Sequence, residues 1–298
     1  MSFFIKKLAV VGVGLIGGSL AQALREQDLV GEVIGINRSE ASLRKALEMG
    51  VVDRWTTSLT EGVREATVVL VATPVCSIAQ VVTTMAPALS RGAVVTDAGS
   101  VKGHLVRQCE AVLPEGVWFV GGHPIAGRER VGVEASFPTL FQGSRTILTP
   151  TKHTHPQALA LVRLIWEATG SRVELMEADH HDQVLAATSH LPHLMAYNVV
   201  NTLSNLEDQL RSEVFRYAAG GFRDFTRIAS SDPSMWRDIC LANREAILHV
   251  LSLFRYDLDA LMQKVDQGDA EALFDIFAKS KKTRDRVLAE NRNLREGT

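Results

Sequence analysis

Over the first 177 residues short β-branched apolar runs recur, each closed by Gly, Pro, Ser or Asn: KLAVVGVG, EVIGIN, TVVLVATP, AVVTDAGS and WFVGGHP. Such runs are the pattern of strands covered on both faces. Between them, Leu15 to Gln27, Ser39 to Met49, Val75 to Leu89 and Val101 to Leu113 carry apolar residues at helical spacing. SRTILTPT and RVELME read as further strands, with a helix from Pro156 to Thr169 between them. Repeated alternation of strand and helix predicts an α/β domain built on a doubly wound, mostly parallel sheet, whose ligands gather at the carboxyl ends of the strands.

After Ala178 the β-branched runs stop and long helical stretches take over: Ala178 to Leu203, Ser234 to Val265 and Asp269 to Arg292. The chain is therefore expected to divide into residues 1–177 and an all-α domain at 178–298. Pro192 lies inside the first of these helices, where it removes a backbone donor and should kink the chain. Ile247, Val250, Leu251, Phe254, Leu258 and Leu261 form an apolar face that a second copy could cover, which predicts a homodimer.

Composition narrows the function classes. The 298 residues are 46% hydrophobic and 22% charged with a formal charge of −2, so binding nucleic acid through a broadly basic surface is not expected. No apolar run reaches the roughly 18 to 20 residues of a membrane span, and Lys6 and Lys7 break the N-terminal run where a secretion signal would need its apolar core. Cys76, Cys109 and Cys240 are far apart with no CxxC spacing, against a disulfide framework or structural zinc. A reduced, cytoplasmic protein with no membrane partner and no metal is expected.

The strongest local motif is Gly12-Val13-Gly14-Leu15-Ile16-Gly17, between the first strand and the first helix. The first glycine permits the tight turn, the second lets backbone approach a pyrophosphate, the third lets helix pack on strand, and the helix N-terminus supplies donors. Gly12, Gly14, Leu15, Ile16 and Gly17 are thus candidate dinucleotide contacts. An NAD site usually offers Asp or Glu after the second strand, but this chain has Asn37, Arg38 and Ser39. Arg38 could pair with a 2′-phosphate, so the cofactor reads as NAD or NADP, leaning slightly to NADP. Asn37 bonding the ribose while Arg38 lies in solvent is the alternative.

Further strands end in Ala72-Thr73-Pro74 and in Asp97-Ala98-Gly99-Ser100, on the edge that should face the nicotinamide half. Ser100 could be catalytic or could cap a helix starting at Val101. Asp97 is read as a structural carboxylate. His123, between glycines and Pro124, is placed to act as general base or hydrogen-bond acceptor. In Ser189-His190-Leu191-Pro192-His193 the histidines lie three apart on one helix face, better suited to hydrogen bonding a substrate than to a metal. His180-His181-Asp182 reads as a surface helix start. The segment Gly220-Gly221-Phe222-Arg223-Asp224-Phe225-Thr226-Arg227 reads as a binding loop, with Arg227 as a bidentate clamp for a carboxylate.

VGVGLIGGS, TDAGSVKG, VGGHPIAG followed by Glu129, ILTPT, SHLPH and GGFRDFTRIASSDPSMWRDI, in this order, resemble the prephenate and arogenate (cyclohexadienyl) dehydrogenases of tyrosine biosynthesis over nearly the whole chain. The resemblance implies a Rossmann domain followed by a helical dimerisation domain, and oxidative decarboxylation of prephenate or arogenate with NAD or NADP. It implies that His123 accepts the hydrogen bond of the ring hydroxyl and that Ser100 supports that hydroxyl and the cofactor. It also implies that His193 and Arg227 bind the substrate's carboxylate and polar groups. Trp236, Glu129 and the backbone of Gly220 would line the site, with His190 and Arg223 beside them; Arg223 stands where some members have Lys. With no further regulatory domain in the chain, feedback by tyrosine would act at or near the active site. The rival readings are a dehydrogenase of a small β-hydroxy acid and a non-catalytic dinucleotide-binding regulator.

Overall fold

The computed structural model describes residues 3–127, 131–209 and 215–296. In chain order the elements of the first part are β1 (Ile5–Val11), α1 (Leu15–Arg25), β2 (Val30–Ile36), α2 (Glu40–Glu48), β3 (Arg54–Thr56), α3 (Leu59–Gly62), β4 (Val68–Val71), α4 (Val75–Met85), β5 (Val94–Asp97), α5 (Gly103–Val112), β6 (Trp118–Ile125), β7 (Arg145–Thr149), α6 (Pro156–Ala168) and β8 (Arg172–Leu175). They form one sheet ordered β3-β2-β1-β4-β5-β6-β7-β8, parallel throughout except for the antiparallel pair β6 and β7. Strand order reverses between β1 and β4, which opens the crevice at their carboxyl ends where such sheets take ligands. β3 is three residues long and lies outside the strands expected from the sequence.

Because successive side chains of a strand point to opposite faces, β1 feeds two cores. Leu8 and Val10 join Leu20 and Leu24 of α1, Leu43 of α2 and Trp166 of α6. Ala9 and Val11 join Ile78 and Val82 of α4 and Val106 of α5. At roughly 1.5–3 kcal/mol for each large apolar side chain removed from water, these layers hold the sheet edge that carries the site.

The helices that follow are α7 (Ala178–Leu185), α8 (Leu191–Gln209), α9 (Gly220–Thr226), α10 (Pro233–Ala242), α11 (Arg244–Asp266) and α12 (Ala270–Glu296). Residues 186–190 make a π-helical turn just before Pro192. A proline cannot donate to the preceding turn and its ring crowds a carbonyl there, so the widened turn takes the place of a simple kink. The stretch expected as one helix from Ser234 breaks at Asn243, whose side chain turns inward to other partners. The contacts cluster into two compact units, residues 1–247 and 248–298, and within the first of them α7 packs against α5 and α10 against α4. Among the described residues no helix is long and apolar enough to cross a membrane.

Candidate active site

The glycine loop has the shape its spacing implies. Gly12 sits at φ +93°, and a Cβ there would lie 2.6 Å from the Ala72 carbonyl oxygen, so loop and β4 end touch backbone to backbone. A Cβ on Gly17 would meet the Gly12 carbonyl oxygen at 2.6 Å and Val10 Cγ1 at 2.7 Å, which is why α1 can lie close on β1. A Cβ on Gly14 would meet nothing within 4 Å, so the helix N-terminus opens on free space. This cradle fits a dinucleotide pyrophosphate. Leu15 and Ile16, both half-buried, begin the helix above it.

At the end of β2, Asn37 Oδ1 accepts from the Arg38 backbone N–H at 2.8 Å, and Ser39 caps α2 by accepting from Ser42 N at 3.3 Å. Arg38 is exposed and forms no ion pair with the described residues. At the end of β4, Thr73 Oγ1 accepts from Ser77 Oγ at 3.0 Å, and Pro74 occupies the N-cap of α4.

Asp97 closes β5 and is fully buried. Its Oδ2 accepts from Gly99 N at 2.8 Å, its Oδ1 from Gly122 N at 3.1 Å, and the fully buried Lys102 ammonium pairs with it. The carboxylate thus ties the end of β5 to β6 beside Ser100 and His123. Ser100 does not cap the following helix, because α5 starts at Gly103 and not Val101. The cap comes instead from α7: Asp182 accepts from Lys102 N and Gly103 N, both at 2.8 Å. Gly103 is needed for that approach, since a Cβ would lie 2.4 Å from Asp179 Oδ1 and 3.0 Å from Asp182 Oδ2. Ser100 is left half-buried, with a hydroxyl that makes no hydrogen bond to the described residues.

His123, on β6, is 8% exposed. Its Nδ1 lies 2.8 Å from Nε2 of His181, whose own Nδ1 lies 2.8 Å from Asp182 Oδ1. His123 Nε2 makes no hydrogen bond to the described residues. Burial, then the neighbouring His181, Lys102 and His190, hold its pKa well below the usual histidine range. The ring is neutral near pH 7 and able to accept a proton.

The reading of His180-His181-Asp182 as a surface segment is corrected here: His180 is exposed, but His181 is fully buried and Asp182 nearly so. The carboxylate's capping of α5 draws both residues inward.

Further histidines complete the wall. His193 stacks on Trp236 with ring centroids 3.9 Å apart, and its Nδ1–H donates to the Ser189 carbonyl at 2.9 Å, leaving Nε2 as an acceptor. Burial lowers its pKa, opposed by the Ser189 bond and reinforced by Arg227. His190 is buried, with its ring edge towards Trp236. Its Nδ1 lies 3.2 Å from Asn243 Nδ2, which also donates to the Asp182 carbonyl at 2.8 Å. Burial pushes the His190 pKa down to about 4.

The GGFRDFT segment is a helix, not the loop its glycines implied: α9 begins at Gly220 and runs into a 3-10 turn at Arg227–Ser230. Helical spacing sets Arg223 and Arg227 on one face, where with Phe222, Thr226 and Ser230 they line a cavity of about 480 Å³. Glu129 lies outside the described residues. Sequence reasoning missed Lys102, His181, Asp182 and Asn243. Only the HHD string hinted at any of them, and the contacts of Asp182 with Lys102, of His181 with His123 and of Asn243 with Asp182 join residues 80, 58 and 61 apart.

A doubly wound sheet with a phosphate cradle at its switch point, and a buried neutral imidazole on β6, defines a nicotinamide-dinucleotide-linked oxidoreductase. Residues 20–175 match the family model described as prephenate dehydrogenase, nucleotide-binding domain, and residues 177–279 that described as prephenate dehydrogenase, dimerization domain. The chain belongs to the prephenate dehydrogenase family and is an enzyme using a nicotinamide dinucleotide. It is 40% identical to a cyclohexadienyl dehydrogenase of Zymomonas mobilis, over 94% of this chain and 95% of the other. It is 39% identical, with a TM-score of 0.90, to a prephenate dehydrogenase of A. aeolicus solved with hydroxyphenyl propionate and NAD+, covering 96% of this chain and 100% of that one. An arogenate dehydrogenase of Synechocystis is 30% identical with a TM-score of 0.80, covering 94% and 99%.

Proposed function

We propose that this enzyme oxidatively decarboxylates prephenate, arogenate or both, giving 4-hydroxyphenylpyruvate or tyrosine. The observation that supports this most directly is His123: a buried, neutral ring with Nδ1 engaged and Nε2 without a hydrogen bond to the described residues. The ring hydroxyl gives up its proton as hydride leaves C4, the ring carboxylate departs as carbon dioxide and leaves its bonding pair in the ring, and the aromatic phenolate so formed takes the proton back to give the phenol of the product. The nicotinamide, when bound, supplies the acceptor for the hydride.

The chain's own contribution is positioning and one proton site. His123 Nε2 accepts the hydroxyl proton, and Ser100 Oγ, which makes no hydrogen bond to the described residues, steadies the same oxygen. The cationic Arg227 and Arg223 take the carboxylates. His193, neutral with Nδ1–H committed to Ser189, offers Nε2 as acceptor for a polar group rather than as a charge partner. Trp236 shapes the wall, with His190 behind it and Gly220 opening the helix that carries the arginines. Gly12, Gly14, Leu15, Ile16, Gly17, Thr73 and Pro74 hold the dinucleotide, and Asn37, Arg38 and Ser39 hold its ribose. Arg38, exposed and without an ion pair among the described residues, favours NADP over NAD. Exposed Phe254, Leu258, Met262, Phe274 and Phe277 on α11 and α12 support assembly as a homodimer.

The test follows reduced cofactor with prephenate and with arogenate. His123→Asn should lose at least about 10²-fold in kcat while calorimetry shows substrate still binding. A His123→Asn enzyme as active as wild type would overturn the reading, and relative kcat/KM for the two substrates reads the preference.

A further inference from the structure

The contact between His123 and His181 bears on a question the proposed function leaves open: which nitrogen of His123 carries the proton. A neutral imidazole has one N–H and one lone pair, and its neighbour decides which is which. Asp182 Oδ1 accepts from Lys102 N, and Oδ2 from Gly103 N, at the N-terminus of α5. Both of its oxygens are thereby engaged as acceptors of backbone N–H. A carboxylate only accepts, so at 2.8 Å His181 must present Nδ1–H to it. With its one N–H given to Asp182, the His181 ring carries its lone pair on Nε2, 2.8 Å from His123 Nδ1, where it accepts the Nδ1–H of His123. His123 is left with its lone pair on Nε2, the nitrogen that makes no hydrogen bond to the described residues.

We infer that His181 and Asp182 are positioning residues that lock His123 into the Nδ1–H tautomer, so that Nε2 always meets the substrate as an acceptor. The inference rests on His123 as proton acceptor, and a distinct set of residues carries it. Neither His181 nor Asp182 needs to touch substrate. Asn243 extends the same device by donating to the Asp182 backbone carbonyl.

The test begins with the unmodified enzyme. Long-range proton–nitrogen NMR of histidine-labelled protein, with His123 assigned by the signals lost in His123→Asn, should show Nδ1 protonated and Nε2 bare at pH 7.5. Kinetics follow. His181→Leu removes the acceptor at similar bulk and should lower kcat about tenfold or more with substrate KM nearly unchanged, because only the tautomer, not the binding groups, is disturbed. His181→Gln can place Oε1 where the ring nitrogen was and should restore kcat to within about threefold of wild type. A purely packing role would move both variants alike.

A wild-type His123 protonated on Nε2 would overturn the inference. So would a His181→Leu kcat within twofold of wild type, or equal losses in the Leu and Gln variants. Should His181→Leu not fold, the wild-type tautomer and the Gln variant still decide. An active His123→Asn would defeat the functional reading by itself, whatever the tautomer proves to be.

Discussion

Replacing Lys102 by Met removes the cation from a pair whose side chains are both fully enclosed. Asp97 would keep the backbone donors of Gly99 at 2.8 Å and Gly122 at 3.1 Å but lose its counter-charge. Breaking a buried pair by removing one partner costs ~3–5 kcal/mol, and retained bonds worth roughly 1.5–3 kcal/mol each to a charged acceptor set the expected loss near the lower bound. About 3 kcal/mol is a large part of a typical domain's 5–15 kcal/mol. Urea unfolding followed by fluorescence and circular dichroism measures it. Lys45→Met is the control, because its pair with Glu48 at 3.5 Å is open to water and its loss should cost well under about 1 kcal/mol. The folded Lys102→Met enzyme should also lose kcat, since Asp97 ties the Ser100 turn to the strand bearing His123. A Lys102→Met protein within about 1 kcal/mol of wild type would refute the argument, because the carboxylate would then be shown not to depend on its counter-charge.

At the ribose, Arg38→Ala should raise the KM for NADP much more than that for NAD; equal effects would remove Arg38 as a phosphate contact. In the cradle, Gly14→Ala adds a methyl that meets nothing within 4 Å, so it should leave unfolding nearly unchanged while weakening cofactor binding measured by calorimetry. Wild-type affinity in that variant would show that the space is not where phosphate sits. His190 gives an acid-stability prediction. Its folded pKa of about 4 lies below the roughly 6.5 of an unfolded histidine, so protons bind the unfolded chain preferentially and stability falls as pH drops from 6.5 towards 4. That slope sums to roughly 3 kcal/mol, and His190→Asn should flatten it in pH-dependent unfolding; an unchanged acid limb would contradict the assignment.

Much of this architecture is legible in the sequence, because strands, glycine turns and amphipathic helices are set by local chemistry. β1, β2, β4, β5 and β6 fall on the runs that periodicity marks, and Gly12, Gly14 and Gly17 stand where a phosphate turn needs them. His123 announced itself by sitting at a strand end among glycines. Asp97, read as structural, is structural, although nothing local says that Lys102 is its partner. Where local signals competed, they misled: the glycines of GGFRDFT suggested a loop, yet the segment closes as a helix that aligns Arg223 with Arg227.

Contacts between distant residues were decided only by the tertiary structure. Asp182 lies 80 residues from Lys102, and His181 lies 58 from His123. Neither pairing has a spacing that periodicity could detect, because each exists only after α7 packs on α5. Sequence alone singled out His123; the fold supplied His181 and Asp182 as the chain of partners behind its ring.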